Sequence, residues 1–104
     1  MAVYVDDMRA PLGRMTMCHM IADTDDELHA MADSIGVARQ WWQAPPRHSS
    51  HYDISLGKRA IAIAQGAIPI SMRTCGIMTM RRRKTGSLGA PDDAASWLAS
   101  QNSG

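Results

Sequence analysis

The alternation of apolar and polar positions changes period several times along this chain, and each change predicts an element. Residues 2–5 (Ala-Val-Tyr-Val) are β-prone and stop abruptly at Asp6-Asp7, as a first strand emptying into a polar loop would. Pro11 and Gly13 then predict a turn. Residues 15–22 are apolar with His19 among them, a pattern shared by a short strand and by an ordered loop lying over a sheet. Thr24-Asp25-Asp26-Glu27 fits a capping box, in which Thr24 bonds the backbone near Glu27 and Glu27 reaches back. Leu28, Met31, Ala32 and Ile35 follow at helical spacing, and Gly36 supplies a left-handed stop, so a first helix is expected here.

Residues 37–42 read as a second strand, which would send Trp41 and Trp42 to opposite faces, with Trp41 expected inside. A loop over 43–50 follows, held extended by Pro45-Pro46. Asp53 or Ser55 is placed to cap a second helix that runs through Gln65, with Leu56, Ala60, Ile63 and Ala64 on one face and Gly66 beyond its end. Residues 67–70 are a third strand, expected at a sheet edge because Pro69 cannot donate to a ladder. Ser71 caps a third helix running toward Met80, after which come Arg81-Arg82-Arg83-Lys84 and a Gly/Ser linker. Pro91-Asp92-Asp93 opens a short last helix with Ala94, Trp97 and Leu98 as its apolar face, and residues 100–104 read as a frayed tail.

Strand and helix alternating in this way predict an α/β domain of two or three layers, with a short, mainly parallel sheet of about three strands and three to four helices. Residues 1–84 would form the compact domain, and 85–104 the linker, helix and tail. A length of 104 residues allows one core, burying roughly 60 to 68% of the unfolded surface. Phe is absent while Met occurs nine times, so irregular gaps are filled by a flexible side chain that specifies packing loosely.

The formal charge of +1 hides an asymmetry: residues 1–33 hold seven acids against two bases, while residues 39–84 hold nine bases against Asp53 alone. An anionic ligand would prefer the second half; equally, the halves could attract one another within the fold or across a homo-oligomer. Cys18 and Cys75 are too few for a disulfide scaffold and read most simply as small buried hydrophobes. With no leader pattern and no membrane-length apolar run, the expected setting is the reducing cytosol, away from membranes.

Ligands of parallel sheets collect outside the carboxyl ends of the strands. Those ends would carry Asp6 and Asp7, the loop with His48 and His51, and Ser71 with Arg73. His51-Tyr52-Asp53 stands out: His51 and Asp53 are two residues apart, which suits metal ligation from an extended backbone, with His19 as a third donor and Asp6 as a fourth. No HExxH or cysteine cluster accompanies them, so a divalent metal is not the favoured reading. The competing structural reading has Asp53 capping the second helix while His51 bonds a loop carbonyl. A metal-free reading makes His51 a general acid or base oriented by a carboxylate, with Lys58 or Arg59 holding a phosphate near the helix N-terminus. His29 borders the apolar stripe of the first helix and reads as a packed boundary histidine. Arg81, Arg82, Arg83 and Lys84 could touch nucleic-acid phosphates, although basic residues at a helix carboxyl end are favourable by themselves.

Several motifs together resemble a known family: Tyr4-Val5-Asp6-Asp7, Cys18-His19-Met20-Ile21-Ala22-Asp23-Thr24, Glu27-Leu28-His29-Ala30, His51-Tyr52-Asp53 and Lys58-Arg59-Ala60. In this order they are similar to the uncharacterised family called domain of unknown function 4031, over about residues 3–84. That family occurs in bacteria and bacteriophages, and the chain looks most like the phage-type branch. The loop over 44–50 is longer than in such relatives. The resemblance carries no activity to transfer.

The leading expectation is therefore a cytosolic protein that binds a phosphate-bearing or nucleotide-like small molecule through Asp6, Asp7, His19, His51, Tyr52, Asp53, Lys58, Arg59 and Arg73. One alternative is a phage accessory protein that binds a host protein through the Trp pair, the basic run and the last helix. Another is a metal-dependent or His/Asp hydrolase of phosphorylated substrates, built on His51, Asp53 and His19.

Overall fold

The computed structural model describes residues 2–102, in the order β1 (Val3–Val5), β2 (Ala10–Leu12), β3 (Met15–Ala22), α1 (Asp25–Ser34), β4 (Trp42–Gln43), β5 (His51–Ser55), α2 (Leu56–Ala64), β6 (Ile68–Pro69), α3 (Met72–Thr85) and α4 (Ala94–Asn102). Short 3-10 turns cover Arg39–Trp41, Arg47–Ser49 and Pro91–Asp93. Residues 103 and 104, the end of the expected tail, lie outside the described residues.

The chain is α/β with four helices, as its alternation predicts, but the sheet is larger and more antiparallel than expected. Six strands take the order β4-β5-β3-β1-β6, with β2 paired to β3. Only β1 and β6 run parallel as neighbours; β1–β3, β2–β3, β3–β5 and β4–β5 are antiparallel. The reason is β3. Residues 15–22 form an eight-residue strand at the centre of the sheet, entered from β2 by a tight turn at Gly13 (φ 59°). A hairpin return of this kind needs no helical crossover, so it places an antiparallel strand where a strand-helix count sees none.

Period-two alternation along β3 and β5 divides the interior into two cores. Val3, Val5, Cys18, Met20, Tyr52 and Ile54 face Leu28, Ala32 and Ala62 of α1 and α2. Tyr4 and Ile21 face Cys75, Ile77 and Met78 of α3 together with Leu88 and Ala94. The domain is thus three layers deep. Thr24 caps α1 by accepting from the Glu27 N–H at 3.2 Å, while its hydroxyl donates to the Glu27 carboxylate at 2.8 Å. Ser55, not Asp53, caps α2, accepting from the Lys58 N–H at 3.2 Å. Ser71 caps α3, which does not stop near Met80. It absorbs the basic run and closes at Gly86, φ 86°, whose N–H reaches the Arg82 carbonyl.

The expected strand over 37–42 is mostly a 3-10 turn, with pairing confined to Trp42–Gln43. That turn breaks the alternation on which the tryptophan assignment rests. Trp41 is 61% exposed, whereas the half-buried Trp42 packs edge-on against His29 (centroids 4.7 Å apart) and donates to Ser50 Oγ at 2.9 Å.

Candidate functional site

Strand register assembles the site. His19 on β3 is the cross-strand partner of Asp53 on β5, and His51, two residues from Asp53, emerges on the same face. Asp6 leaves the end of β1, where its N–H continues the ladder to the His19 carbonyl at 3.0 Å. β1, β5 and β6 all point the same way, so Asp6, Asp53 and Ser71 lie at or near their carboxyl ends despite the antiparallel β3 between them.

Asp6 is fully buried. Its Oδ1 accepts from the backbone N–H groups of His19 (2.7 Å) and Met8 (3.3 Å), and its Oδ2 holds His19 Nδ1 at 2.7 Å. Burial opposes the charged carboxylate, but the bonds from the His19 ring and backbone and from Met8 outweigh it and pull its pKa below the ordinary value. The same Asp6 bond raises the His19 pKa against the effect of burial, helped by the charges of Asp6 and Asp53. His51 Nδ1 lies 2.5 Å from the Ser49 carbonyl. A carbonyl and an ionised carboxylate only accept, so both rings carry their proton on Nδ1 and, when neutral, aim the Nε2 lone pair outward.

Both Nε2 atoms point at Asp53. Oδ1 of Asp53 lies 3.5 Å from His51 Nε2 and 3.9 Å from His19 Nε2, and one donor atom from each residue falls within 4.8 Å of the others. Oδ2 accepts from Gln43 Nε2 at 2.9 Å; Oδ1 is buried with no hydrogen-bond partner. Donors bound about 2.1 Å from one tetrahedral ion stand about 3.4 Å apart. The two gaps to Asp53 are close to that spacing, and the His19 and His51 donors lie within 4.8 Å of each other.

Beside the two histidines, under the first turns of α3, a cavity of about 290 Å³ is lined by Ile21, Met72, Cys75, Gly76 and Thr79 as well as His19, Ser49 and His51. No lysine or arginine lines it. Asp6, His19 and Cys75 form a second cluster of possible donors. Burial, and next the Asp6 charge, push the Cys75 thiol up to about 12, so the protonated sulfur backs the pair and Asp6 stays committed to His19.

The other expected site residues go elsewhere. Tyr52 is fully buried on the opposite face of the sheet, its hydroxyl 2.7 Å from His29 Nδ1. Lys58 donates to the Ile35 carbonyl at 2.7 Å, tying down the end of α1. Arg59 donates to the Asp6 carbonyl at 2.8 Å and supports the site from behind. Asp7 accepts from the Met72 N–H at 2.6 Å at the start of α3, and Arg73 is exposed on that first turn. The Ser49 carbonyl is the loop carbonyl expected as the His51 partner; sequence reasoning missed Gln43 and the bracing role of Arg82. Arg82, only 8% exposed, donates to the carbonyls of His48 (2.9 Å), Ala22 (3.0 Å) and Ser50 (3.3 Å), bracketing the residue that orients His51. An uninterrupted helix through the basic run would have turned it inward; nothing local marks Gln43.

The Asp6–His19 pair gives a pH prediction. A depressed carboxylate pKa stabilises the fold above the ordinary value of 3.8 and loses that contribution as pH falls through the lower folded value. A raised histidine pKa stabilises below 6.5 and loses its contribution as pH climbs through the higher folded value. Melting of Asp6→Asn beside the wild type is expected to show the largest deficit, about 1–3 kcal/mol, between those two ordinary values, shrinking on both sides. A deficit independent of pH would mean that the pair is not charged in the fold.

Comparison with protein families gives a match over residues 3–84 to a family described as "Protein of unknown function (DUF4031)". Asp6, His19, His51, Asp53 and Arg82 all lie within the matched span. No curated protein and no solved structure matches the chain.

Proposed function

We propose a function from the premise that the chain belongs to the DUF4031 family, whose activity is unknown, so that the chemistry rests on its own residues. His19, His51 and Asp53 bind one divalent transition-metal ion of the zinc or iron type, leaving coordination positions open toward the cavity beneath α3. The observation that carries this reading is the buried, partnerless Asp53 Oδ1 with two imidazole Nε2 atoms aimed at it. A buried acceptor without a donor costs about 1–3 kcal/mol, and a cation among the three atoms removes that cost. Asp6 behind His19 and the Ser49 carbonyl behind His51 supply the outer shell that metal-bound histidines ordinarily have.

Two histidines and a carboxylate leave room for water and substrate. The activity we assign is hydrolytic: an ion held by His19, His51 and Asp53 would supply a bound water of lowered pKa and a Lewis acid for an anionic substrate oxygen. The phosphate-bearing or nucleotide-like ligand expected from the sequence meets the metal first, since the cavity offers no lysine or arginine. The setting we assign is the cytosol, where the free, buried Cys18 and Cys75 remain thiols; no helix among the described residues is long and apolar enough to cross a membrane.

Chelator-treated protein titrated with Zn(II), and separately with Mn(II), is the test. One saturable equivalent per chain, with shifts confined to the His19 and His51 ring resonances, is expected; absence of a saturable equivalent for either ion sinks the metal reading.

A second reading, contact with another protein such as the expected host partner, draws support from Leu12, Met15 and Trp41, which are 58%, 51% and 61% exposed along one groove. Trp41→Ala separates the two, because it removes contact area and leaves the metal donors in place.

A further inference from the structure

The last turn of α3 and the 3-10 turn over Arg47–Ser49 enclose a second hollow, of about 240 Å³, lined by Arg47, His48, Arg82, Arg83 and Gly86. No carboxylate lines it. Arg82 spends its guanidinium on backbone carbonyls. The side chains of Arg47, His48 and Arg83 make no hydrogen bond or ion pair among the described residues. Arg47 lies close enough to Arg82 to disfavour its charge. Asp25, outside the hollow, outweighs that repulsion at Arg82, with one oxygen accepting from Ser50 Oγ at 2.7 Å.

Basic residues on a helix's final turn answer the partial negative charge of its free carbonyls, which accounts for Arg83 and Lys84. It does not account for Arg47 and His48, which belong to a different element and still converge on the same space. Like charges gathered from two elements around an empty volume, with no carboxylate between them, are the arrangement of a site whose counter-charge arrives with its ligand. Two free guanidinium forks and an imidazole suit an acceptor with several oxygens, which favours phosphate over carboxylate.

The hollow also adjoins the metal cavity. Thr79 lines the cavity, and Arg82 and Arg83 line the hollow three and four residues further along α3, a separation of roughly one turn, about 5.4 Å. Ser49 and His48 make the same step along the loop.

We propose that Arg47, His48 and Arg83, held in place by Arg82, form a phosphate-binding subsite of the same ligand-binding groove. It receives a phosphate group of a nucleotide or of a nucleic-acid strand while the neighbouring part of that ligand lies at His19 and His51. The phosphate contact stands on its own; only the placing of the rest of the ligand at a metal rests on the function proposed above.

The test uses the full chain after chelator treatment, so that a failed metal reading does not touch it. Inorganic phosphate, a nucleoside monophosphate and a short single-stranded oligonucleotide are each titrated at low and at physiological salt. Arg47→Ala combined with Arg83→Ala changes two exposed residues and leaves Arg82 intact; Arg9→Ala combined with Arg14→Ala, two exposed residues that line neither the hollow nor the cavity, is the control for net charge. The double variant is expected to weaken binding by about tenfold or more, and the control by less than about twofold. Loss of monophosphate binding identifies a nucleotide as the source of the phosphate, whereas loss seen with the oligonucleotide alone identifies a strand. Equal losses in the control and the double variant, or no saturable binding of any of the three probes to the wild type, would overturn the subsite.

Discussion

His51→Ala is expected to lower divalent-metal affinity by more than about a hundredfold, beyond the 10- to 100-fold that follows loss of an outer-shell partner. The ring contributes one of three protein donors, and its own support, the Ser49 carbonyl, has no other donor to pass on. His48→Ala, three residues away in sequence and outside the donor set, is expected to leave affinity unchanged. Asp53→Asn sharpens the argument because it separates binding from folding. In the metal-free protein at pH 8 the Asp53 Oδ1 atom lies buried without a donor, so neutralising the carboxylate is expected to leave the melting temperature unchanged or raise it. With metal the order reverses: a ligand at a hundred times its Kd stabilises by about 2.7 kcal/mol, roughly 10 °C or more for a domain of this size, and the variant forfeits that gain. If Asp53→Asn instead destabilises the metal-free protein and metal adds nothing to the wild type, Asp53 is a structural carboxylate and the centre does not exist.

Much of this candidate site could be read from the chain before its fold was known, and the part that could not has a physical reason. His19, His51, Asp53 and Asp6 are legible as donors because histidine and carboxylate spacing is a local property. Their arrangement is not, because it depends on the register of β3 against β5, a pairing between segments more than thirty residues apart. Asp53 illustrates the difficulty: an aspartate two residues before a serine at a helix start looks like a cap, and only the strand that runs up to Ser55 shows that the serine holds that position. Residues 15–22 were ambiguous for a related reason, since a histidine inside an apolar run looks like an interruption until a buried carboxylate is found behind it. The strand-helix alternation conveyed the layers, and the missing N–H of Pro69 the edge position of its strand, but a hairpin inserted before α1 turned a mainly parallel sheet into a mixed one. Lys58 and Arg59 looked like phosphate ligands because charge is visible in sequence and direction is not; one ties off α1 and the other braces Asp6.

Arg82→Met is expected to be among the most destabilising single changes in the chain, for a reason that separates it from Arg83 beside it. Methionine matches the length and apolar character of the arginine stem, so packing against α3's neighbours is largely kept. What disappears is the guanidinium that satisfies the His48, Ala22 and Ser50 carbonyls. Burying the charge already works against it, as the lowered Arg82 pKa shows, with burial the largest cause and repulsion from Arg47 adding to it. Removing a buried charge together with its partners can be neutral, but here the partners are backbone groups that remain. At about 1–3 kcal/mol for each acceptor left without a donor, the loss should reach about 3 kcal/mol or more, a fall of roughly 12 °C or more in melting temperature. Arg82→Lys, with one ammonium in place of a planar fork, should recover only part of it. Metal affinity is expected to fall as well, even where the variant remains folded, because the freed loop carries the Ser49 carbonyl that sets the His51 ring. Arg83→Met, exposed and without these bonds, is expected to change melting by no more than about 0.5 kcal/mol. Equal effects at positions 82 and 83 would show that the latch is not what holds the His48–Ser50 segment against β3, and that His51 is oriented by strand pairing alone.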